Sequence, residues 1–266
     1  MPETEIYLDY NATTPCDPQV LEAMLPFFSE DFANPANGLH RQGRMAADRV
    51  EDARSKIAGI INAQPAEIIF TAGATESNNL AIRGIAEAQA QSPRNRIITS
   101  AIEHKSVLAS CQKLQEDGYD LVVLPVDEYG RVNLDALAQA VDDRTLLVSV
   151  HAANNEIGTL QPIADIAPIL YGGGQEKGLR SGTLNVPAIV GFGEASQICA
   201  EQLTAEQMRI AALRDAFEEL ICGRVPIIRV NGARNSRLPN TSSLTFPGVD
   251  ADALLLNVLD LMLATG

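Results

Sequence analysis

The chain has no tryptophan, only 5% aromatic residues, 3 histidines and 4 cysteines in 266 residues, and each shortage excludes something. Cys16, Cys111, Cys199 and Cys222 form no C-x-x-C pair and no metal-ligand spacing, so neither a zinc module nor a redox dithiol is expected. They read as buried, reduced thiols of a cytoplasmic protein. With so few histidines, a dedicated His/Cys metal site is not expected either. Positive charge is also scarce: Lys plus Arg is 20 against 34 for Asp plus Glu, a formal net charge of −14 with no basic run. Such a chain is a poor partner for nucleic acid or an anionic membrane surface. No apolar stretch reaches the ~20 residues of a membrane span. The first residues, Met1-Pro2-Glu3-Thr4-Glu5, are acidic where a signal peptide is basic. What is present is a hydrophobic fraction of 46%, enough to bury a core in one or two domains.

The first half alternates strand and helix signals. A short β-like run at Ile6 to Tyr10 closes in a loop at Asn11-Ala12-Thr13-Thr14-Pro15. Helical spacing over residues 41–61 puts Ala46, Val50, Ala53, Ile57 and Ile60 on one stripe. Strands are expected at 68–72, 96–100, 120–126 and 145–151, separated by helices through about Ala90, at 105–117 and at 134–141. Strands joined through helices pair in parallel by right-handed crossovers, and their near-continuous apolar character fits a sheet covered on both faces. The pattern specifies a doubly wound α/β domain. The second half groups its helices, near 187–203, 205–222 and 250–262, apart from strands at 227–230 and 242–246, as an α+β domain would. At the seam, a helix begins near Pro162 and is cut at Pro168, and the strand due next is missing. The rhythm there, and again at Ala264-Thr265-Gly266, is that of lost sequence.

In an open parallel sheet, ligands bind beyond the carboxyl ends of the strands, and three polar clusters fall there. Thr71-Ala72-Gly73-Ala74-Thr75-Glu76-Ser77-Asn78-Asn79 joins a strand to a helix N-terminus through a glycine, a cradle whose free N–H groups suit a phosphate. Glu103-His104-Lys105 offers an imidazole for proton transfer or for stacking on a planar cofactor. Asn154-Asn155-Glu156-Ile157-Gly158 offers an amide that can orient a phenolic or carboxyl oxygen. Singly, each also reads as a helix cap or an Asn/Gly turn. Together they converge on one sheet edge, which independent caps need not do. A fourth stretch, Gly172-Gly173-Gly174 through Thr183, lacks the G-K-[ST] of a nucleotide P-loop. It reads either as a linker or as a glycine loop carrying Arg180 and Thr183 toward an anion.

These segments, with Tyr7-Leu8-Asp9-Tyr10-Asn11-Ala12-Thr13-Thr14-Pro15 before them and Gly178-Leu179-Arg180-Ser181-Gly182-Thr183 after them, resemble the cysteine desulfurases. That family belongs to the class V, fold-type I enzymes that use pyridoxal 5'-phosphate. The resemblance implies a large α/β domain with a mostly parallel mixed sheet over residues 16–200. It implies a smaller α+β domain from residues 1–15 and 201–266. It implies a homodimer that converts L-cysteine to L-alanine and holds the sulfur as a persulfide. The sulfur would pass to a sulfur-acceptor or iron–sulfur scaffold protein for cluster and thiocofactor assembly. By position, Ala74 and Thr75 would hold the cofactor phosphate and His104 would stack on its ring. Asn155 would bond its 3′ oxygen, Thr183 would reach the phosphate in the neighbouring subunit, and Asn11 to Thr13 would lie beside the substrate.

The chain also departs from that family. Between Ala167 and Pro168 the family carries an Asp for the pyridine nitrogen and a Ser-x-His-Lys segment whose lysine forms the Schiff base. About 60 residues, two βαβ units of ~30 each, are missing there. The only lysines are Lys56, Lys105, Lys113 and Lys177, none in that context, and the loop cysteine and the downstream substrate-carboxylate arginine are absent as well. Two accounts are consistent with this: a larger enzyme with segments beyond these residues, or an inactive relative acting as scaffold or dimer partner. A different class V enzyme, an aminotransferase or selenocysteine lyase, is the third reading.

Overall fold

The computed structural model describes residues 6–170, 186–258 and 261–265, and the chain divides into two compact units. The first comprises residues 1–14, 77–178 and 207–266, and the second residues 15–76 and 179–206.

The first unit is built on β2 (Arg96–Ser100), β3 (Asp120–Leu124) and β4 (Thr145–Ser149), all parallel, in the order β3-β2-β4. β2 takes the centre because both of its faces are apolar: Ile97 and Ile98 are fully buried, and successive strand residues point to opposite faces. Ile97 packs with Ile82 and Ala86 of α4 (Ala74–Ala88) and with Val107, Cys111 and Leu114 of α5 (Lys105–Glu116). Ile98 packs with Leu124, Val132, Leu137 of α6 (Leu134–Ala140) and Ile166 of α7 (Ile163–Leu170). The chain crosses from β2 to β3 through α5, then returns past β2 to β4 through α6. Two right-handed crossovers running in opposite directions must lie on opposite faces, which is where these two helices are. The same unit holds β1 (Ile6–Tyr7), parallel to β7 (Leu261–Met262), and β5 (Arg229–Val230), antiparallel to β6 (Leu244–Thr245).

The second unit packs α1 (Pro18–Met24), α2 (Pro26–Ser29) and α3 (Arg41–Ile60) with the start of α8 (Val186–Arg224). The predicted stripe of α3 is its core face: Ala46, Val50, Ala53 and Ile57 are buried with Phe27, Phe70, Val186 and Ile189, while Ile60 is exposed. α8 approaches α3 closely because residue 193 is glycine; a Cβ there would stand 2.8 Å from that of Ala53. Among the described residues no helix is long and apolar enough to cross a membrane.

Several expectations change. Residues 68–72 are not a strand. Their backbone is claimed by α3 instead: the Arg54 guanidinium donates to Ile68 O at 2.5 Å and lies over the Phe70 ring. The helix at the seam does not stop at Pro168 but runs to Leu170, because Ile166, Ile169 and Leu170 are drawn onto the Ile98 core. The two helices near 187–203 and 205–222 are one helix of 39 residues, since no glycine or proline stands at 201–206 to end it. The helix placed at 250–262 is only α9 (Ala251–Leu255), and Leu261–Met262 pairs with β1 instead. Of the cysteines only Cys111 is buried. Cys222 is half-buried, and Cys16 and Cys199 are exposed, the first in a loop before α1 and the second on α8.

Candidate functional site

Because β2 and β4 are parallel neighbours, the chain leaves both at the same edge of the sheet, and hydrogen bonds join the two segments beyond that edge. Glu103 is almost wholly buried, with its side chain 2% exposed. Its Oε1 accepts the Ser100 hydroxyl at 2.6 Å and the His151 backbone N–H at 3.0 Å. Asn154 donates its side-chain amide to Ile102 O at 3.2 Å, and its Oδ1 accepts the N–H groups of Glu156 and Ile157. The second and third sequence clusters are therefore one cross-linked piece of structure. Beneath it, burial pushes the Cys111 thiol up from its ordinary value; the Glu103 charge adds to this and a hydrogen bond to Thr99 opposes it.

His104 is the N-cap of α5, its Nδ1 accepting the Ser106 N–H at 3.2 Å. The capping role is real, and it leaves the ring on the exposed side of the turn with Nε2 bonded to no described residue. Asn155 is exposed. Its carbonyl is held by the Asn11 amide at 2.9 Å, while its own side-chain amide bonds to no described residue. Asn11 is itself fixed, donating to Thr241 Oγ1 at 3.1 Å and accepting from Asn240 Nδ2 at 3.0 Å.

Ala74 and Thr75 open α4 and belong to the second unit. The turn before them is closed by the Ala72 N–H donating to Glu76 Oε2 at 2.5 Å and the Thr71 hydroxyl donating to Gly73 O at 3.3 Å. A side chain at Gly73 would meet nothing within 4 Å. Thr183 and Arg180 lie outside the described residues.

Sequence reasoning missed Ser106, which contacts His104, and the pair Asn240–Thr241, which holds Asn11. A serine two residues after a capping histidine is a readable signal, since that position supplies the capped N–H. No local pattern joins Asn11 to Thr241, 230 residues away.

A family model, aminotransferase class-V, matches residues 6–174. Cysteine desulfurase IscS of Rickettsia felis is 37% identical over 325 residues, covering 100% of this chain and 79% of that protein. Among solved structures, a NifS-like protein superposes with a TM-score of 0.89 at 33% identity, covering 98% of this chain and 88% of that one. DndA from Streptomyces lividans superposes with a TM-score of 0.79 at 32% identity, covering 96% and 88%. The match to the Rickettsia felis protein extends over 325 positions while the chain has 266 residues, a difference of 59. That difference is the size of the segment expected between Ala167 and Pro168.

Proposed function

The chain belongs to the class-V aminotransferase family and is a relative of its pyridoxal phosphate-dependent cysteine desulfurases, and from that premise we propose how its residues serve the reaction. Ala74 and Thr75 hold the cofactor phosphate, His104 lies against the ring, Asn155 bonds the 3′ oxygen and Thr183 reaches the phosphate in a second subunit. The observation that carries this reading is the state of His104 and Asn155. Both are anchored by one atom, Nδ1 and the carbonyl oxygen, and both present a remaining side-chain polar group that bonds to no described residue. These two residues fit the noncovalent, ring-binding part of a pyridoxal phosphate site.

They do not supply its covalent anchor. Lys56 is paired with Glu194 at 3.0 Å, and Lys113 with Glu116 and Asp117. Lys105 begins α5 and Lys177 lies outside the described residues. Pyridoxal phosphate, when bound, supplies an electron sink for bond breaking at the substrate carbon. This chain contributes the binding contacts and, at His104 Nε2, a group that takes or gives a proton. The substrate is L-cysteine, and a homodimer supplies each site with the partner's Thr183. Exposed Leu21, Leu25, Phe28 and Phe32 give the second unit an apolar surface suited to such an association. The sulfur goes to an acceptor or iron–sulfur scaffold protein in the cytoplasm. The large domain of the enzyme comprises 16–200, and 1–15 with 201–266 form the small one.

The test is to give the purified native protein L-cysteine and pyridoxal phosphate, measuring alanine, sulfide and intact mass. Alanine and sulfide from a protein larger than this chain support the desulfurase carrying the additional 59 positions. A protein of 28.5 kDa that binds the cofactor and releases neither favours the second reading, a noncatalytic dimer partner, which the placement of the lysines supports.

A further inference from the structure

Ser106 joins three groups of the first unit. Its backbone N–H donates to His104 Nδ1 at 3.2 Å, its hydroxyl lies 2.8 Å from the same nitrogen, and the Asn78 amide donates to that hydroxyl oxygen at 2.8 Å. Side-chain hydrogens in such a chain can run in either direction, because a hydroxyl rotates and an amide can be turned over. The backbone N–H cannot: it is a donor in every arrangement. Since it points at His104 Nδ1, that nitrogen must carry its lone pair, and the imidazole proton must sit on Nε2. The hydroxyl then has one consistent role, accepting from Asn78 and passing its own proton toward Nδ1. The frame is stiff, because Ser106 O also accepts the Ser110 hydroxyl at 2.7 Å, and Val107 and Cys111 on the same helix are buried.

We propose that Ser106 and Asn78 are positioning residues that fix His104 as the Nε2–H tautomer, so that its exchangeable proton is always on the atom facing away from α5. The two ring nitrogens are distinct, and the hydrogen bond made by one sets the state of the other. A freely tautomerising ring would offer an N–H and a lone pair in turn at the same place. The held ring offers an N–H when neutral, and its Nδ1 stays committed to the helix. This deepens the reading of His104 as the group that contacts the cofactor ring and rests on it for its functional meaning, although the tautomer itself is a property of the chain alone.

The experiment is two-bond proton–nitrogen correlation NMR on protein labelled with 15N-histidine, recorded at a pH above which the ring signals no longer move. His104→Ala assigns the signals. The wild type should show one pyridine-like nitrogen, Nδ1, and one pyrrole-like nitrogen, Nε2. Ser106→Ala keeps the backbone N–H but removes the hydroxyl that shares Nδ1 with it, so it should move both ring nitrogens part of the way toward the averaged position of mixed tautomers. Asn78→Ala should do so less, and Ser106→Thr should restore the separation. A wild-type ring that is averaged or protonated on Nδ1 overturns the proposal. So does a Ser106→Ala spectrum that is unchanged while α5 amides remain dispersed. Added pyridoxal phosphate tests the underlying reading separately. If His104 signals do not respond to it while the tautomer is as stated, the cofactor assignment fails and the tautomer assignment stands.

Discussion

Glu103 accepts the backbone N–H of His151 at 3.0 Å across 48 residues of sequence, and this bond ties the ends of β2 and β4 into one edge. The carboxylate is buried, also takes the Ser100 hydroxyl and lies 3.7 Å from His151 Nδ1. Glu103→Ala would strand the Ser100 hydroxyl and the His151 N–H in the interior, where the Nε2 of His151 already has no partner among the described residues. Each buried group left unsatisfied costs about 1–3 kcal/mol. Urea unfolding should show a loss of that order for Glu103→Ala and a smaller one for Glu103→Gln, which keeps an acceptor. Equal losses in the two variants would mean the bond to His151 is not what matters.

The turn at Gly232 gives a backbone prediction. Its φ of +78° is one that L side chains rarely adopt, and a Cβ there would stand 2.6 Å from Ile157 O and 2.9 Å from Thr159 Oγ1. Thr159 is fully buried and its hydroxyl donates to Tyr129 O, so it cannot yield. Gly232→Ala should cost more than about 1 kcal/mol, read as a lower denaturation midpoint, whereas Gly84→Ala on α4, where a Cβ meets nothing within 4 Å, should be neutral or stabilising.

The parallel sheet was legible because the runs at 96–100, 120–124 and 145–149 are apolar on both faces, and only a covered parallel sheet asks for that. The run at 68–72 has the same composition and is not a strand. Composition reports burial, and Phe70 is buried, but against α3; pairing needs a neighbouring strand, which sequence alone does not reveal. At the candidate site, His104 and Asn155 were legible from their places after strands. The atoms that orient them come from Ser106, Asn78 and Asn11, and only tertiary structure brings Asn11 to Asn155. The helix at the seam was misjudged because a proline weakens a helix by removing one bond, and apolar packing of its other residues outweighs that.

The four thiols should differ in reactivity. Cys16 and Cys199 are exposed, Cys222 is half-buried and Cys111 is buried, with its thiol pushed up by burial first and by the Glu103 charge second. The thiolate is the reactive form. Iodoacetamide at neutral pH with peptide mapping should label Cys16 and Cys199 early, Cys222 later and Cys111 only after denaturation. Because the folded-state value of Cys111 is raised, its contribution to stability is whole below the ordinary thiol value of about 8.5 and fades as pH rises past it. Cys111→Ser should flatten that alkaline decline. Prompt labelling of Cys111 in the native protein would contradict this placement.

Asp142 carries the opposite sign. Burial alone would raise its carboxyl, but the Arg144 backbone N–H and the charges of Arg96 and Arg144 together hold it below the ordinary value. The Arg96 guanidinium meets it at 3.0 Å and meets Asp120 at 2.8 Å. A lowered folded-state value means that the stabilisation is present above the ordinary carboxylate value of about 3.9 and is lost as pH falls through the lower one. Asp142→Asn should therefore be less stable than wild type at neutral pH, and the two should converge in acid. A difference that does not change with pH would rule out the ionised carboxylate as its source.

The lysines decide how these 266 residues can hold pyridoxal phosphate. An amine attacks an aldehyde only as the free base. The hydrogen bonds of Asp117 and Glu116 raise Lys113 above its ordinary value, and Lys56 lies between Glu194 at 3.0 Å and Asp52 at 3.8 Å. Lys113 is poorly suited to form the covalent link, and Lys56 is held between carboxylates. If no other lysine takes that part, the chain should bind the cofactor reversibly. Dialysis should remove it, borohydride should leave no stoichiometric adduct on any one lysine, and L-cysteine should yield no sulfide. His104→Ala should weaken retention by roughly tenfold, about 1.4 kcal/mol, the scale of one stacking or polar contact. A stoichiometric adduct mapped to a single lysine peptide, Lys105 included, would show that the anchor has been relocated within this chain, and the noncovalent reading would then be wrong.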